Sequence, residues 1–302
     1  MGISDGRNNH IKDNLKCVAI CIAMSMANMQ YGIDVGAISG FQSMIGFLKV
    51  FGYRDEKLKV GWGIETKPQQ LIASCLNLGT IIGLFTTPIF ARYLGRRPAI
   101  WVGSLLTAVG CALQISTENL GVLSFGRVLI GLSNSFFITF ANIYVSEASP
   151  AHLRAILGAF FGVWVNIGAV LSTAINLLTD RQFKTKPAYQ IPLATLYFVP
   201  LVLSIIVFFI PESPRWLVVQ DRLEEGEAAL RRLRGKSLTE ELLKEEFIEM
   251  VKGIEEEKAI AHGRQFLDMF RGTDRRRTII CVGAIVSHTS SGLWLYLAYG
   301  VS

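Results

Sequence analysis

The chain has few of the residues from which metal sites and catalytic centres are built. Its 302 residues include 5 cysteines and 4 histidines. All five cysteines lie in apolar stretches without metal-ligand spacing, which disfavours both a metal site and a disulfide framework. The sequence also offers no arrangement of nucleophile and base and no phosphate-binding loop. A membrane enzyme is therefore the least favoured functional class, and no cofactor or metal is expected.

Charged residues are scarce as well, at 18% of the chain, while 51% of its residues are hydrophobic. The apolar residues fall in seven stretches of about 19 to 25 residues, the length at which an α-helix crosses a hydrocarbon core. None of them alternates in the manner of barrel strands. The sequence predicts an all-α membrane protein with the spans Leu15–Ile38, Gln70–Phe90, Pro98–Ser116, Gly121–Val145, Ala155–Leu178, Gln190–Ile210 and Thr278–Gly300.

The basic residues are unevenly distributed. The net charge is +6, and Arg92, Arg96 and Arg97 share the short loop between the second and third stretches. A cytoplasmic N-terminus places this loop, and most other lysines and arginines, in the cytoplasm, as the positive-inside rule requires. The basic balance is therefore attributed to membrane topology, and no nucleic-acid partner is expected.

The composition predicts four regions along the chain. Residues 1–14 are a cytoplasmic N-terminus, 15–210 a six-helix bundle, 211–277 a small cytoplasmic helical domain and 278–302 a seventh helix. Within the third region, Asp221–Arg234 is rich in helix formers, and Ser237 and Glu240 have capping-box spacing. One apolar stripe then follows at helical spacing, formed by Leu243, Phe247, Val251 and Ile254. The alternative is that this region is only a linker.

Two ionisable residues, Asp34 and Arg127, lie inside apolar stretches. At about 1.5 Å per residue, both lie some 6 to 9 Å below the same interface. Equal depth and opposite charge predict that they form an ion pair. A charge within the membrane usually has a partner or lines a polar cavity, and marks function. The pair is either structural or a proton switch, in which protonated Asp34 releases Arg127 and shifts the balance between two conformations.

Small and polar residues recur at helical spacing on three stretches. Such a stripe fits either a water-filled cavity or a tight helix–helix contact. Three stripes together favour a cavity for a neutral polyhydroxy ligand, with Trp164 and Trp294 offering flat apolar faces. The stripes are Ala23, Ala27, Gln30 and Asp34; Arg127, Gly131, Ser135 and Asn142; and Gly162, Asn166, Ala169, Thr173 and Asn176.

Five short motifs stand at successive ends of the stretches. They are Tyr31-Gly32-Ile33-Asp34 with Ile38-Ser39-Gly40, Gly95-Arg96-Arg97-Pro98, Gly126-Arg127 with Gly131, Glu147 through Arg154, and Pro211-Glu212-Ser213-Pro214-Arg215-Trp216-Leu217. In this order they make the sequence resemble the sugar porter family of the major facilitator superfamily, in the style of fungal hexose, maltose and lactose permeases. The resemblance covers nearly the whole chain, and the last two motifs are its most specific part.

The resemblance implies a major facilitator fold of twelve helices, of which this chain carries seven, and transport by alternating access. The expected partners are a neutral sugar or polyol, a proton and the lipid bilayer. The expected location is the plasma membrane, with a vacuolar membrane as the alternative. Asp34 matches the family's proton-coupling aspartate and Arg127 its partner. The expected cytoplasmic gating charges are Arg96, Arg97, Glu147, Arg154, Glu212 and Arg215. Together with the polar stripes, the resemblance assigns substrate binding to Gln30, Asn142, Asn166, Thr173, His288, Thr289 and Trp294.

The sequence departs from the family pattern at four positions. Arg92 replaces an acidic or amide residue, Gly162 stands near a usual glutamine, and His288 and Thr289 replace two glutamines that bind sugar in other members. An atypical specificity is therefore expected. Seven helices do not enclose a site between two halves, so we expect a truncated chain that is inactive without the missing half in cis. The alternatives are a transporter-like sugar sensor or regulator, or a seven-helix receptor with its N-terminus outside.

Overall fold

The computed structural model describes residues 14–54, 61–150, 152–235, 239–261 and 272–290. The chain divides into two compact units, Met1–Thr239 and Glu240–Ser302. The helices of the first unit are α1 (Leu15–Ser25), α2 (Met29–Phe41), α3 (Ile45–Phe51), α4 (Thr66–Tyr93), α5 (Arg96–Ser116), α6 (Leu120–Ala148), α7 (Arg154–Gln182), α8 (Pro187–Thr195), α9 (Phe198–Phe209), α10 (Pro214–Val219) and α11 (Leu223–Arg234).

Six segments are long and apolar enough to cross a membrane, which agrees with the first six predicted spans. Most of these helices are longer than the predicted spans, because polar residues at their ends extend the helix beyond the apolar stretch. The segments are Leu15–Ile38, Lys67–Tyr93, Arg96–Ser116, Leu120–Ala148, Arg154–Gln182 and Pro187–Phe209.

Two of the six spans are interrupted. In the first span, a 3-10 turn over Met26–Asn28 separates α1 from α2. Here the Ser25 hydroxyl donates to the carbonyl of Ile22 and the Asn28 amide donates to that of Ser25, so side chains compete with the regular backbone ladder. In the sixth span, a turn at Leu196 and Tyr197 separates α8 from α9. Pro200, in the first turn of α9, has no backbone N–H to donate to Leu196, so the helical hydrogen bonding is interrupted here.

Close backbone contacts hold the spans together in pairs. A Cβ on Gly131 of α6 would lie 2.0 Å from the carbonyl oxygen of Leu76 on α4, and one on Gly79 of α4 would lie 2.1 Å from that of Val128. The pairing of α2 with α7 is similar, since a Cβ on Gly32 would lie 2.0 Å from the Val165 oxygen. Small residues allow this approach, which is the usual basis of helix association in lipid.

The two ends of the bundle differ. At one, the hairpin end, α3 is followed by the antiparallel strands β1 (Tyr53–Arg54) and β2 (Trp62–Gly63), with Tyr53 opposite Gly63. Phe47 of α3 packs edge-on against Phe41 and Tyr189, at 5.1 and 5.6 Å between ring centres. The opposite end, the motif end, carries the charged motifs and the helices α10 and α11.

The first unit includes α10 and α11, so it continues past residue 210, where the predicted bundle ends. The predicted cytoplasmic domain over 211–277 therefore stays a prediction. The described helices of the second unit are α12 (Glu240–Ala261) and α13 (Gly272–Ser290). On α12, Leu243 and Ile254 of the predicted apolar stripe are buried. The helix α13 covers the beginning of the predicted seventh span. Ser237 and residues 291–302 lie outside the described residues.

Candidate functional site

Asp34 and Arg127 meet inside the bundle. The guanidinium nitrogen Nη1 of Arg127 on α6 donates to Oδ1 of Asp34 on α2 at 2.8 Å. Both side chains are completely buried. The predicted contact is thus present, although the proton-coupling role remains a prediction. Breaking a buried pair by removing one partner leaves an uncompensated charge in a medium of low dielectric, which costs about 3–5 kcal/mol.

Two further side chains complete this site and were not predicted. The Asn134 amide donates to Oδ2 of Asp34 at 3.1 Å, so the carboxylate accepts one bond at each oxygen. The ring of Phe41 lies 5.0 Å from the guanidinium carbon of Arg127, in cation–π range. Asn134 follows Arg127 by seven residues, which is the spacing of one helix face and was the available signal. Phe41 gave no signal, since an aromatic residue at the end of a span is common.

The Arg127 guanidinium is only partly satisfied. Its Nε and Nη2 are buried and have no hydrogen-bond partner among the described residues. The pair is therefore held by one direct bond and one aromatic contact rather than by a saturated network. Buried charges with unmade hydrogen bonds are costly, so these two nitrogens lower the net stability that the pair contributes.

Helix contact explains several members of the predicted polar stripes. A Cβ on Gly83 would approach the Ser135 side chain at 2.3 Å, and Gly131 fits against α4 as described above. The Asn176 amide on α7 donates to the carbonyl of Gly36 at 2.7 Å. For Gly131, Ser135 and Asn176 the structure shows the tight helix contact, one of the two interpretations of such stripes, because small and amide residues allow close helix packing. That the stripes line a cavity stays a prediction.

Other stripe residues keep unused polar groups. Gln30 is completely buried, and neither polar atom of its amide has a hydrogen-bond partner among the described residues. The same holds for the indole nitrogen of the half-buried Trp164. The Asn142 oxygen accepts from Asn28 at 3.3 Å. Buried polar atoms without partners are uncommon, and in a binding protein they are candidates for contact with a ligand.

The remaining predicted substrate residues are less informative. Asn166 is exposed and donates to the Gly162 carbonyl at 2.7 Å, and the Thr173 hydroxyl donates to that of Ala169 at 2.8 Å. Both bonds lie within α7. The side chains of His288 and Thr289, and the whole of Trp294, lie outside the described residues.

At the motif end, Glu147 binds two partners from other helices. Its oxygens accept from Arg96 Nη2 at 2.6 Å and from Arg96 Nε at 2.9 Å, a bidentate arrangement. The hydroxyl of Ser213 donates to the same carboxylate at 2.6 Å. Glu147 thereby joins the ends of α5, α6 and α10 through charge-assisted bonds.

Glu212 accepts hydrogen bonds from backbone N–H groups at the motif end. Its carboxylate accepts from the backbone nitrogens of Arg96 at 3.0 Å, Arg97 at 3.2 Å and Ser213 at 3.0 Å. The first two belong to the first turn of α5, so Glu212 caps a helix N-terminus, where an anion is favoured. The predicted gating charges Arg96, Glu147 and Glu212 thus form one cluster.

The other three predicted gating charges are Arg97, Arg154 and Arg215. The guanidinium of Arg97 donates to the carbonyls of Val207 and Phe208. Arg154 is exposed and lines a cavity of about 320 Å³ between α6 and α7, together with Asn142 and Ser146. Arg215 is half-buried on α10. Glu147 and Arg154 share one sequence motif, yet Glu147 pairs with Arg96.

The family follows from comparison with known proteins. The family model described as "Sugar (and other) transporter" matches residues 20–302. The chain belongs to the sugar porter family of the major facilitator superfamily. The members of this family are transporters and not enzymes.

Curated relatives are longer than this chain. Sugar transport protein MST3 of Oryza sativa subsp. japonica is 28% identical over 80% of this chain and 47% of its own length. The high glucose sensor RGT2 of Saccharomyces cerevisiae is 25% identical over 97% of this chain and 38% of its own length. The galactose-proton symporter of Escherichia coli is 27% identical, with shares of 72% and 43%. The chain thus spans less than half the length of each of these three proteins.

Solved structures share the fold. The proton:xylose symporter XylE bound to 6-bromo-6-deoxy-D-glucose gives a TM-score of 0.72 at 19% identity, over 85% of this chain and 56% of that one. The partially occluded inward-open xylose transporter XylE from Escherichia coli gives 0.73 at 18%, over 94% and 66%. The predicted major facilitator fold, incomplete over this length, is confirmed.

Proposed function

We propose that this chain forms the proton-coupling half of a sugar symporter that works by alternating access. The observation that carries the proposal is the completely buried pair of Asp34 and Arg127, placed within membrane spans of a sugar porter chain. An ionisable residue inside a span is expensive to keep and is functional by default. Relatives named as proton symporters support this assignment.

Protonation of Asp34 is the switching step in this proposal. A neutral carboxyl no longer holds the guanidinium electrostatically, so Arg127 seeks other acceptors and the contact between α2 and α6 loosens. The conformation in which the pair is broken then gains population. Each pH unit across the membrane supplies about 1.4 kcal/mol to this exchange.

The proposed substrate is a neutral sugar or polyol, bound near the middle of the membrane. The buried amide of Gln30 and the indole nitrogen of Trp164 supply unused hydrogen-bonding groups, and Asn142 lies on the neighbouring span. His288, Thr289 and Trp294 remain proposed substrate-binding residues. A ligand rich in hydroxyl groups satisfies such mixed donors and acceptors without bringing charge.

A second helix bundle in cis is part of the proposal. The spans of α4 and α7 are the least buried of the six, at 28% and 17%. Their exposed apolar side chains, such as Phe85 on α4 and Val170 on α7, offer a surface for that bundle. In the proposed orientation the motif end faces the cytoplasm of the plasma membrane, and its charges stabilise one of the alternating states.

A transporter-like sugar sensor is the second candidate. Its support is the match to the glucose sensor RGT2, which extends over 97% of this chain. A sensor keeps the sugar site and the conformational change and lacks net transport. Both functions therefore require sugar binding, and only the symporter accumulates sugar.

The deciding experiment measures accumulation of labelled sugars in yeast cells without hexose transporters. The cells express the reading frame that contains this chain, as its transcript defines it. We expect accumulation that a protonophore abolishes, and none from residues 1–302 alone. Asp34→Asn should abolish accumulation, whereas Asp180→Asn, at an exposed aspartate near the end of α7, should not.

Each alternative outcome has a definite meaning. Accumulation by Asp34→Asn at the unsubstituted level removes the coupling assignment. Sugar binding without any uptake, accompanied by a sugar-dependent transcriptional response, selects the sensor. Saturable uptake by residues 1–302 alone contradicts the need for a second bundle.

A further inference from the structure

A second cavity, separate from the Asp34–Arg127 site, lies at the motif end. It has a volume of about 420 Å³ and lies where α9 ends, between the first turn of α5 and the helices α10 and α11. We call it the α9-end cavity. Three arginines line it, Arg97, Arg222 and Arg232, together with the carboxylates of Glu212 and Glu225.

Two of these arginines converge on one helix end. Arg97 of α5 donates from Nε to the carbonyl of Val207 at 3.0 Å and from Nη2 to that of Phe208 at 3.1 Å. Arg232 of α11 donates from Nη2 to the carbonyl of Phe209 at 3.3 Å. The last carbonyls of α9 thereby fix two guanidinium groups beside each other, in the place where a helix dipole favours cations.

The carboxylates of the cavity have other hydrogen-bond partners than the guanidinium groups of Arg97 and Arg232. Glu225 accepts from Arg222 Nε at 2.8 Å, and the two form a local ion pair. Glu212 accepts backbone N–H groups of α5 and α10. Among the described residues, Arg97 and Arg232 bind carbonyl oxygens and neither forms an ion pair with a carboxylate. With Arg222 and Glu225 paired, Arg97 and Arg232 share the cavity with the single carboxylate of Glu212, so its charged lining keeps a net positive charge. Two guanidinium groups in such a cavity suit an anion with several oxygens.

The surroundings of the cavity are those of a membrane interface. Phe208 and Phe209, whose carbonyls hold the arginines, are 67% and 70% exposed. Trp101, whose ring lies 5.8 Å from the Arg97 guanidinium carbon, is also exposed. Aromatic side chains beside cations at the end of a span are typical of headgroup depth. Leu201 and Ile205 continue the exposed apolar face of α9 toward the membrane interior.

We propose that the α9-end cavity binds the phosphate of an anionic phospholipid headgroup, with the acyl chains lying along the exposed face of α9. The phosphate oxygens accept from Arg97 and Arg232, and the site joins α5, α9 and α11 in one lipid-dependent contact. Basic pockets between spans and juxtamembrane segments bind anionic headgroups in this way. The site is independent of the transport proposal, since it requires only that the six spans lie in a membrane.

Lipid binding by the purified full chain tests the proposal. Dioctanoyl-phosphatidylserine and dioctanoyl-phosphatidylcholine are titrated separately in detergent, and native mass spectrometry counts the bound lipid. Glycerophosphoserine, the headgroup without acyl chains, is the third probe. We expect phosphatidylserine to bind at least about tenfold more tightly than phosphatidylcholine, because both carry the phosphate but only phosphatidylserine has a net negative charge for the basic cavity. It should also bind at least about tenfold more tightly than glycerophosphoserine, which has no acyl chains to lie along α9. This binding should weaken as salt is raised.

Two single substitutions on α11 locate the site. Arg232→Gln removes one of the two arginines proposed to bind the phosphate, and we expect about tenfold weaker binding of phosphatidylserine. Arg231→Gln is the matched control, because the neighbouring Arg231 pairs with Glu227 and does not line the cavity. Equal losses in the two variants would overturn the assignment. So would equal binding of the two lipids by the unsubstituted protein, or glycerophosphoserine binding as tightly as phosphatidylserine, which would indicate a soluble phosphate ester.

Discussion

Asn134 holds Asp34 from the side opposite Arg127, with its amide nitrogen 3.1 Å from Oδ2 of the carboxylate. Arg127 occupies the other oxygen at 2.8 Å. All three side chains are buried, and two of them lie seven residues apart on α6. The carboxylate therefore keeps a neutral partner when the ionic one is withdrawn. Asp34 therefore has a hydrogen-bond partner in both states of the proposed switch.

The first prediction concerns Asn134→Ala. A donor to a carboxylate stabilises its charged form, so removing the amide should make Asp34 easier to protonate. In the proposed symporter, the pH profile of uptake should extend to more alkaline pH. The matched control is Asn119→Ala, which removes the cap of the same helix, a bond to the Gly121 nitrogen at 2.8 Å. An Asn134→Ala profile identical to that of the control would show that the amide only fills space.

The Asp34–Arg127 site shows which contacts the sequence could predict and which it could not. Charge and depth predicted that Asp34 meets Arg127, because an unpaired charge inside a membrane has a high free energy and pairing with the opposite charge lowers it. The order of motifs predicted the fold. The same reasoning missed Asn134. Its seven-residue spacing from Arg127 indicates a shared helix face, but a shared face does not by itself select a hydrogen-bond partner.

The polar stripes show that a sequence pattern can predict a close contact without identifying the contacting group. A glycine or serine stripe predicts that something approaches the helix closely, and does not say whether it is water, ligand or another helix. Gly131 proved to contact the backbone of α4. Arg234 contacts Cys17, which lies 217 residues earlier in the chain. Helical periodicity relates only residues within one helix, so it does not predict a contact of this kind.

A second prediction follows from Gly131→Ala. The added Cβ would stand 2.0 Å from the Leu76 carbonyl oxygen, so α4 and α6 must separate. We expect thermal unfolding in detergent at a clearly lower temperature, since overpacking costs about 1–3 kcal/mol. Gly158→Ala on α7 is the control, because nothing lies within 4 Å of its Cβ position. Equal unfolding temperatures would mean that the contact relaxes without cost.

The third prediction concerns Glu147→Gln at the motif end. The change removes the charge that faces Arg96 and weakens the bond from Ser213. Because the pair is largely buried, at 11% and 12% exposure, we expect faster trypsin cleavage after Arg215 and Arg222 as α10 detaches. Glu227→Gln breaks the exposed pair with Arg231, and surface pairs contribute little. Cleavage rates that match in the two variants would contradict a role of Glu147 in holding α10.

The fourth prediction uses Cys17 as a reporter for the docking of α11. Arg234 is 4% exposed, and its Nη1 donates to the Cys17 sulfur at 3.1 Å and to the Ala148 carbonyl at 3.1 Å. The guanidinium thus ties α11 to the beginning of α1 and the end of α6. Arg234→Ala should release α11 and expose the thiol, which is completely buried in the unsubstituted protein.

The measurement is maleimide modification of the Cys17 peptide, followed by mass spectrometry. Arg234→Ala should raise its rate at least about tenfold, because the loss of a buried charge-assisted contact destabilises the docked state by about 1.5–3 kcal/mol. The same reaction in denaturant gives the rate of a fully accessible Cys17 thiol. Arg231→Ala, three residues earlier on the same helix, should leave Cys17 protected, since Arg231 is exposed and pairs with Glu227 within α11. If Cys17 stays unreactive in Arg234→Ala, then packing of Leu230 and Leu233 alone is enough to hold α11 in place.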